Sequence, residues 1–160
     1  MEVRVAARGG PATPVASGLS LLVTADDAYT VYLDGQPIGG DSRWQSGDTY
    51  ALNVSPGPHV LAVRAEDQHA VIAGFRAALY REGQIIARTG DGVFVAMPNP
   101  PVGFEQPGFD DSGWPLAQVC SDTRPWGGQP ANLEATGAAW VWGRDCGSLG
   151  VTGFRMGFES

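Results

Sequence analysis

The 160-residue sequence contains no lysine, so all ten of its basic residues are arginine. Against 17 acidic residues this leaves a net charge of −7. Nucleic-acid binding draws most of its affinity from cations on phosphate, so this balance argues against it. The missing lysine reads as coding bias, although arginine also suits planar, bidentate contacts. Charge is scarce at 17% while hydrophobic residues reach 43%, which excludes an acidic disordered tail and a coiled coil. No apolar run approaches the roughly 18 residues that a membrane-spanning helix needs. The opening Met1-Glu2-Val3-Arg4-Val5 lacks the apolar core of a signal peptide. The chain therefore reads as an excised domain or a processed piece of a longer secreted chain. There is no nucleophile elbow, phosphate loop or dinucleotide fingerprint. Of the two histidines, His59 starts a strand and is expected at the surface. His69 lies in a loop beside Asp67 and Gln68, without partners in sequence for a triad or a metal.

Turn formers are what the sequence has in excess. Its 23 glycines and 12 prolines make up 35 of 160 residues, too much punctuation for a helical bundle. The length suits one domain. Residues 1–18, rich in Gly, Pro and Ala, read as a loose lead-in, and 19–160 as a single domain. Apolar runs and period-two alternation predict strands at Leu19–Thr24, Tyr29–Leu33, Gln36–Ile38, Thr49–Val54, His59–Ala65, Phe75–Tyr80, Gln84–Thr89 and Val93–Ala96. Further strands fall at Leu116–Cys120, Ala138–Trp142 and Phe154–Phe158. Asp34-Gly35 is a hairpin signal, because both central turn positions need positive φ. Residues 97–108 are an irregular crossing segment and 121–137 a long loop. Strands at this spacing, with no convincing helix, predict an all-β, antiparallel two-sheet β-sandwich.

Cys120 and Cys146 are the only cysteines. In a loop-rich chain the pair points to a disulfide and an oxidising compartment; the alternative is two buried free thiols. Without nearby histidines they do not make a zinc site.

Three segments carry a family resemblance. Ala25–Gly39, with Asp26-Asp27 ahead of Tyr29-Thr30-Val31-Tyr32-Leu33-Asp34-Gly35, is similar to a "DDxYxLYVNGxxVG" hairpin, with Trp44 shortly after. Thr49–Val54 and Pro56–Ala65 resemble "YDVTxxLxxGxNxLAVxA". Phe109-Asp110-Asp111-Ser112-Gly113-Trp114 resembles "FDDSxW", and Ala139–Trp142 with Phe154–Phe158 resemble closing "WIW…FR…F" strands. These are features of the galactose-binding-like superfamily, the jelly-roll domains attached to β-galactosidases, α-L-rhamnosidases and many secreted bacterial proteins. The resemblance spans roughly residues 19–158. It implies a non-catalytic carbohydrate-binding module of an extracellular or cell-surface protein, with its ligand on loops at one end of the sandwich. Two departures bear on ligand choice: the shortened linker at Ser55-Pro56-Gly57 and the cysteine pair.

The candidate sugar contacts follow from chemistry. Sugar C–H faces stack on aromatic rings, and their hydroxyls need charged or amide partners. The loops supply Asp41, Arg43 and Trp44, then Asp67 and His69, then Arg124 and Trp126. Trp126, between Pro125 and Gly127, is expected to be exposed. Trp114 and one of Trp140 and Trp142 are expected in the core, and Trp44 fits either place. Asp110-Asp111-Ser112 is expected to be a turn whose side chains cap backbone amides, not a hydrolytic pair. Asp26-Asp27 is compatible with Ca²⁺ or with an ordinary turn. Asn53-Val54-Ser55 matches a glycosylation acceptor. The expected partner is a carbohydrate or glycoprotein, with neither nucleic acid nor membrane insertion. The rival reading is a structural or adhesive module that binds another protein, including neighbouring domains of its own assembly. A hydrolase is a third reading.

Overall fold

The computed structural model describes residues 18–69 and 71–160. All but Gly18 of the lead-in over residues 1–18 lies outside the described residues. The chain forms β1 (Leu19–Asp26), β2 (Ala28–Leu33), β3 (Gln36–Asp41), β4 (Asp48–Ala51), β5 (Pro58–Asp67), β6 (Gly74–Arg81), β7 (Gln84–Arg88), β8 (Val95–Pro98) and β9 (Gln118–Val119). After these come the one-turn helix α1 (Ala131–Glu134), β10 (Val141–Trp142) and β11 (Gly150–Glu159). One sheet has the order β4-β1-β6-β10-β9, with β7 also paired to β6, and the other runs β3-β2-β5-β11-β8. Every pairing is antiparallel. This is the two-sheet sandwich that the strand pattern predicts.

Alternation decides which residues meet between the sheets. Leu61, Val63 and Ala65 of β5 and Phe75, Ala77 and Leu79 of β6 are buried, together with Val31, Phe94, Phe154 and Met156. Phe75 packs between Phe94, edge-on at 5.1 Å, and Phe154 at 4.5 Å. Asp34 (φ 49°) and Gly35 (φ 85°) make the hairpin turn in the left-handed region. Asp34 also accepts a hydrogen bond from the Val60 N–H and meets His59 Nδ1 at 2.7 Å. His59 Nε2 donates to the Ser55 carbonyl at 2.6 Å. These two oxygens explain why His59, expected at the surface, is buried: its polar atoms have partners inside the protein.

The segment after β8 crosses the outer face of the five-stranded sheet, and one side chain fastens it there. Arg155, buried on β11, donates from Nε to Asp111 Oδ2 at 2.7 Å and from its Nη atoms to the Phe104, Gln106 and Phe109 carbonyls. Its guanidinium lies 5.3 Å from the Phe109 ring centre. Asp110 caps the Ser112 N–H as expected, but Asp111 is committed to Arg155. Trp114 is not in the core. It is half-buried on this outer segment, stacked on Phe104 at 6.1 Å and edge-on to Phe109 at 5.5 Å. Trp140 and Trp142 are both buried. β10 covers only Val141 and Trp142, so strand alternation does not govern Trp140 just ahead of it.

The strand register fixes one loop end. Asp26 of β1 faces Gly74 of β6, Val23 faces Asp48 of β4, Tyr29 of β2 faces Asp41, and Gly150 of β11 faces Asp67 of β5. Asp27 alone joins β1 to β2. The β3–β4, β5–β6 and β10–β11 loops therefore open at one end of the sandwich.

Candidate functional site

The sequence-chosen loop residues gather at this end, in two layers. In the outer layer, Asp41 is half-buried and its Oδ1 accepts the Ser42 and Arg43 N–H groups, at 2.7 and 3.2 Å. This cap leaves Arg43 exposed and Trp44 half-buried. The Trp44 carbonyl accepts from Thr24 Oγ1 at 2.9 Å, tying the loop to β1. His69 is exposed, with Nδ1 3.1 Å from Asp27 Oδ2, and Asp27 also accepts the Gln68 N–H at 2.6 Å. Arg124, with 89% of its side chain exposed, makes a two-point pair with Asp122. The Cys120–Cys146 disulfide ties the segment before Asp122 to the β10–β11 loop. The disulfide expectation therefore holds, and the free-thiol alternative does not.

The inner layer contains two residues expected at the surface, Trp126 and Asp67. Trp126 is only 2% exposed. Its ring stacks on Trp140 at 4.0 Å and 12°, and its Nε1 donates to Asp26 Oδ2 at 3.0 Å. A buried indole N–H needs an acceptor, and Asp26 is it. Trp44 meets the other side of this cluster, edge-on to Trp140 at 6.5 Å. Gly74 makes room for the stack: a Cβ there would lie 2.7 Å from Trp140 and 2.8 Å from Trp126. Asp67 is 2% exposed, and its Oδ1 accepts the His69 N–H at 3.2 Å. Neither Trp126 nor Asp67 is therefore available at the surface; Trp126 packs under this end and Asp67 holds the His69 backbone.

Electrostatics distinguish the carboxylates. Burial pushes the Asp26 carboxyl up to about 6, against the pull of the Trp126 N–H and with help from Asp27 and Asp67. Asp27 is held below its ordinary value. The effect of burial is outweighed there by the Gln68 N–H, by Asp26 and by His69. Asp48 is raised by burial and by the Asp41 carboxylate, against the Tyr29 hydroxyl that donates to it at 2.7 Å. Among the described residues no group of three or more His, Cys, Asp or Glu side chains is placed to hold a metal ion. The two carboxylates considered for calcium serve Trp126, Gln68 and His69. Asp110 and Asp111 are taken by Ser112 and Arg155, so they are no hydrolytic pair across a cleft.

Sequence reasoning missed two residues. Asp26 was grouped with Asp27 as a turn, because its partner Trp126 is a hundred positions away. Arg76 falls within the predicted strand Phe75–Tyr80, where alternation with Phe75, Ala77 and Leu79 points it outward. It is buried, donating from Nε to the Ala138 carbonyl at 2.7 Å and from Nη2 to Glu134 Oε1 at 2.9 Å.

The two antiparallel sheets form a β-sandwich, and its hairpin, FDDSGW and closing-strand motifs resemble those of galactose-binding-like domains. No protein-family profile matches the chain. In an alignment that covers 69% of its length, it is 28% identical to an α-L-rhamnosidase of Streptomyces avermitilis, of which the match spans only 12%. A lectin from Pleurotus ostreatus, crystallised in complex with GalNAc, shares the fold with a TM-score of 0.51 and 22% identity. That match covers 70% of this chain and 34% of the lectin.

Proposed function

We propose that this domain is a non-catalytic carbohydrate-binding module of a longer extracellular protein or glycoside hydrolase. The observation that carries the reading is Trp44, half-buried at the loop end next to the Asp41–Arg43 cap and edge-on to one of two stacked, buried tryptophans, with His69 and Arg124 exposed on other loops. In this reading Trp44 stacks the apolar face of a sugar. Arg43, Arg124 and His69 donate to its hydroxyls, and Asp41 accepts from them. Asp67 and Trp126 hold the layer in place. The lectin neighbour and the partial rhamnosidase match support the same reading.

A glycan array followed by calorimetric titration tests it. Trp44→Ala is expected to lose a stacking contact worth about 1–3 kcal/mol on the base-stacking scale, weakening binding about tenfold or more with the fold intact. A protein that retains no glycan, or one whose affinity Trp44→Ala leaves unchanged, overturns the assignment. The second reading, an adhesive module, is favoured by the exposed Val71 and Leu149 in loops at the same end.

A further inference from the structure

We infer that a cavity beside this end, between β6 and the segment 120–139, is a subsite for two neighbouring hydroxyls of a neutral sugar. The inference rests on the carbohydrate reading above and adds to it a place and a selectivity. The cavity has a volume of about 310 Å³ and is lined by Arg76, Thr123, Gly128, Glu134 and Trp140, among others. That is at the small end of the range for ligand pockets.

Its chemistry is set by Arg76, which is 5% exposed. Three of the five guanidinium N–H groups sit on Nε and Nη2, which bond the Ala138 carbonyl and Glu134. Nη1, shielded from solvent, has no oxygen partner among the described residues. A buried donor without an acceptor is costly, and buried polar atoms are nearly always satisfied. The Arg76 Cζ lies 5.5 Å over the Trp140 ring, a cation–π contact that holds the guanidinium in place but supplies no acceptor. Glu134 has 56% of its side chain exposed, so its free carboxylate oxygen is open to a ligand.

These facts select the ligand class. An anion is repelled by Glu134, and an ammonium by Arg76. A hydroxyl both accepts and donates. One hydroxyl accepts from Arg76 once Glu134 shifts aside to admit it, and its neighbour donates to Glu134. Stacking is not available here, because Trp140 is covered by Trp126 on one side and by Arg76. Trp140 lines the cavity and meets Trp44 edge-on; in this proposal Trp44 grips the sugar by its ring, and the cavity reads a hydroxyl pattern.

The experiment measures binding of GalNAc, L-rhamnose and array-selected neutral oligosaccharides, with deoxy analogues of whichever binds. Variants are Glu134→Gln, which keeps an acceptor oxygen for Arg76, and Arg76→Lys, each checked for native folding by circular dichroism. Loss of one charge-assisted hydrogen bond predicts a fall of about tenfold for Glu134→Gln. The fall should vanish for the deoxy analogue lacking the matched hydroxyl, and the Arg76 Nε–H resonance should shift on titration. Trp44→Ala should weaken the parent sugar and its deoxy analogue alike. If sugars bind, and Trp44→Ala weakens them while Glu134→Gln and folded Arg76→Lys stay within twofold, the subsite is refuted and the carbohydrate reading stands. If the unaltered protein binds no sugar, both fall.

Discussion

Replacing Asp26 with asparagine should stabilise the protein at neutral pH and remove a defined part of its pH dependence. The Asp26 carboxyl lies at about 6 in the folded protein against an ordinary 3.8, chiefly because it is buried. The folded state therefore holds this proton more tightly than the unfolded chain. Below about pH 4 both states are protonated and the effect is nil. As the pH rises towards 6 the unfolded chain releases its proton first, so stability falls; above that range the loss is complete. A displacement of about two units at 1.36 kcal/mol each amounts to about 3 kcal/mol. Asparagine cannot ionise, and its carbonyl oxygen still accepts the Trp126 Nε1–H. Exchanging a charge-assisted for a neutral hydrogen bond costs about 1 kcal/mol. The net gain at pH 7 is about 2 kcal/mol, or roughly 4–8 °C in Tm for a domain of this size. Urea unfolding of both proteins from pH 4 to pH 8 measures the difference directly. The gain should shrink through pH 6 and 5 and be lost by pH 4. Parallel curves, or an asparagine variant that is less stable at pH 7, would refute the reasoning.

Two further outcomes test the framework that holds the loops. The disulfide joins residues 26 positions apart, so changing Cys120 and Cys146 to serine should cost about 3.5 kcal/mol, read as a lower urea midpoint than that of the oxidised protein. Arg155→Met removes the four side-chain hydrogen bonds from β11 to the crossing segment and takes from Asp111 its Arg155 partner; a loss of about 3–5 kcal/mol and new protease cleavage within residues 99–115 are expected. An unchanged cleavage pattern would mean that other contacts hold the segment.

How much was legible in the sequence depended on the range of the interaction. The Asp34-Gly35 hairpin and the alternation of β5 and β6 are set by neighbours in the chain, and period-two reading finds them. Both halves of the Asp111–Arg155 clamp lie in recognisable motifs, but nothing in either motif says that they meet. The errors share one cause. His59, Trp126 and Asp67 carry polar atoms, and polar atoms in or beside loops suggest exposure. Their burial depends on partners brought in by the fold: Asp34 and the Ser55 carbonyl for His59, Asp26 for Trp126, and the His69 N–H for Asp67. Trp114 errs in the other direction, since the aromatic partners it packs on, Phe104 and Phe109, lie outside the main core.

The same distinction explains how the loop end is built. A recognition surface must expose polar and aromatic groups and still hold them in one geometry, because ordering them on binding costs affinity. At the proposed sugar site three of the outer residues are each tied to a neighbour. Trp44 is anchored through its carbonyl on Thr24 and its ring on Trp140, the Arg43 N–H is capped by Asp41, and the His69 backbone is held by Asp67. The buried Asp26 carboxylate is the expensive element, and it sits where Trp126 needs an acceptor. Its charge opposes folding at neutral pH, yet its hydrogen bond orients the tryptophan stack on which Trp44 rests. Stability is thus traded for a positioned ring at the end of the sandwich, a trade characteristic of binding and catalytic sites.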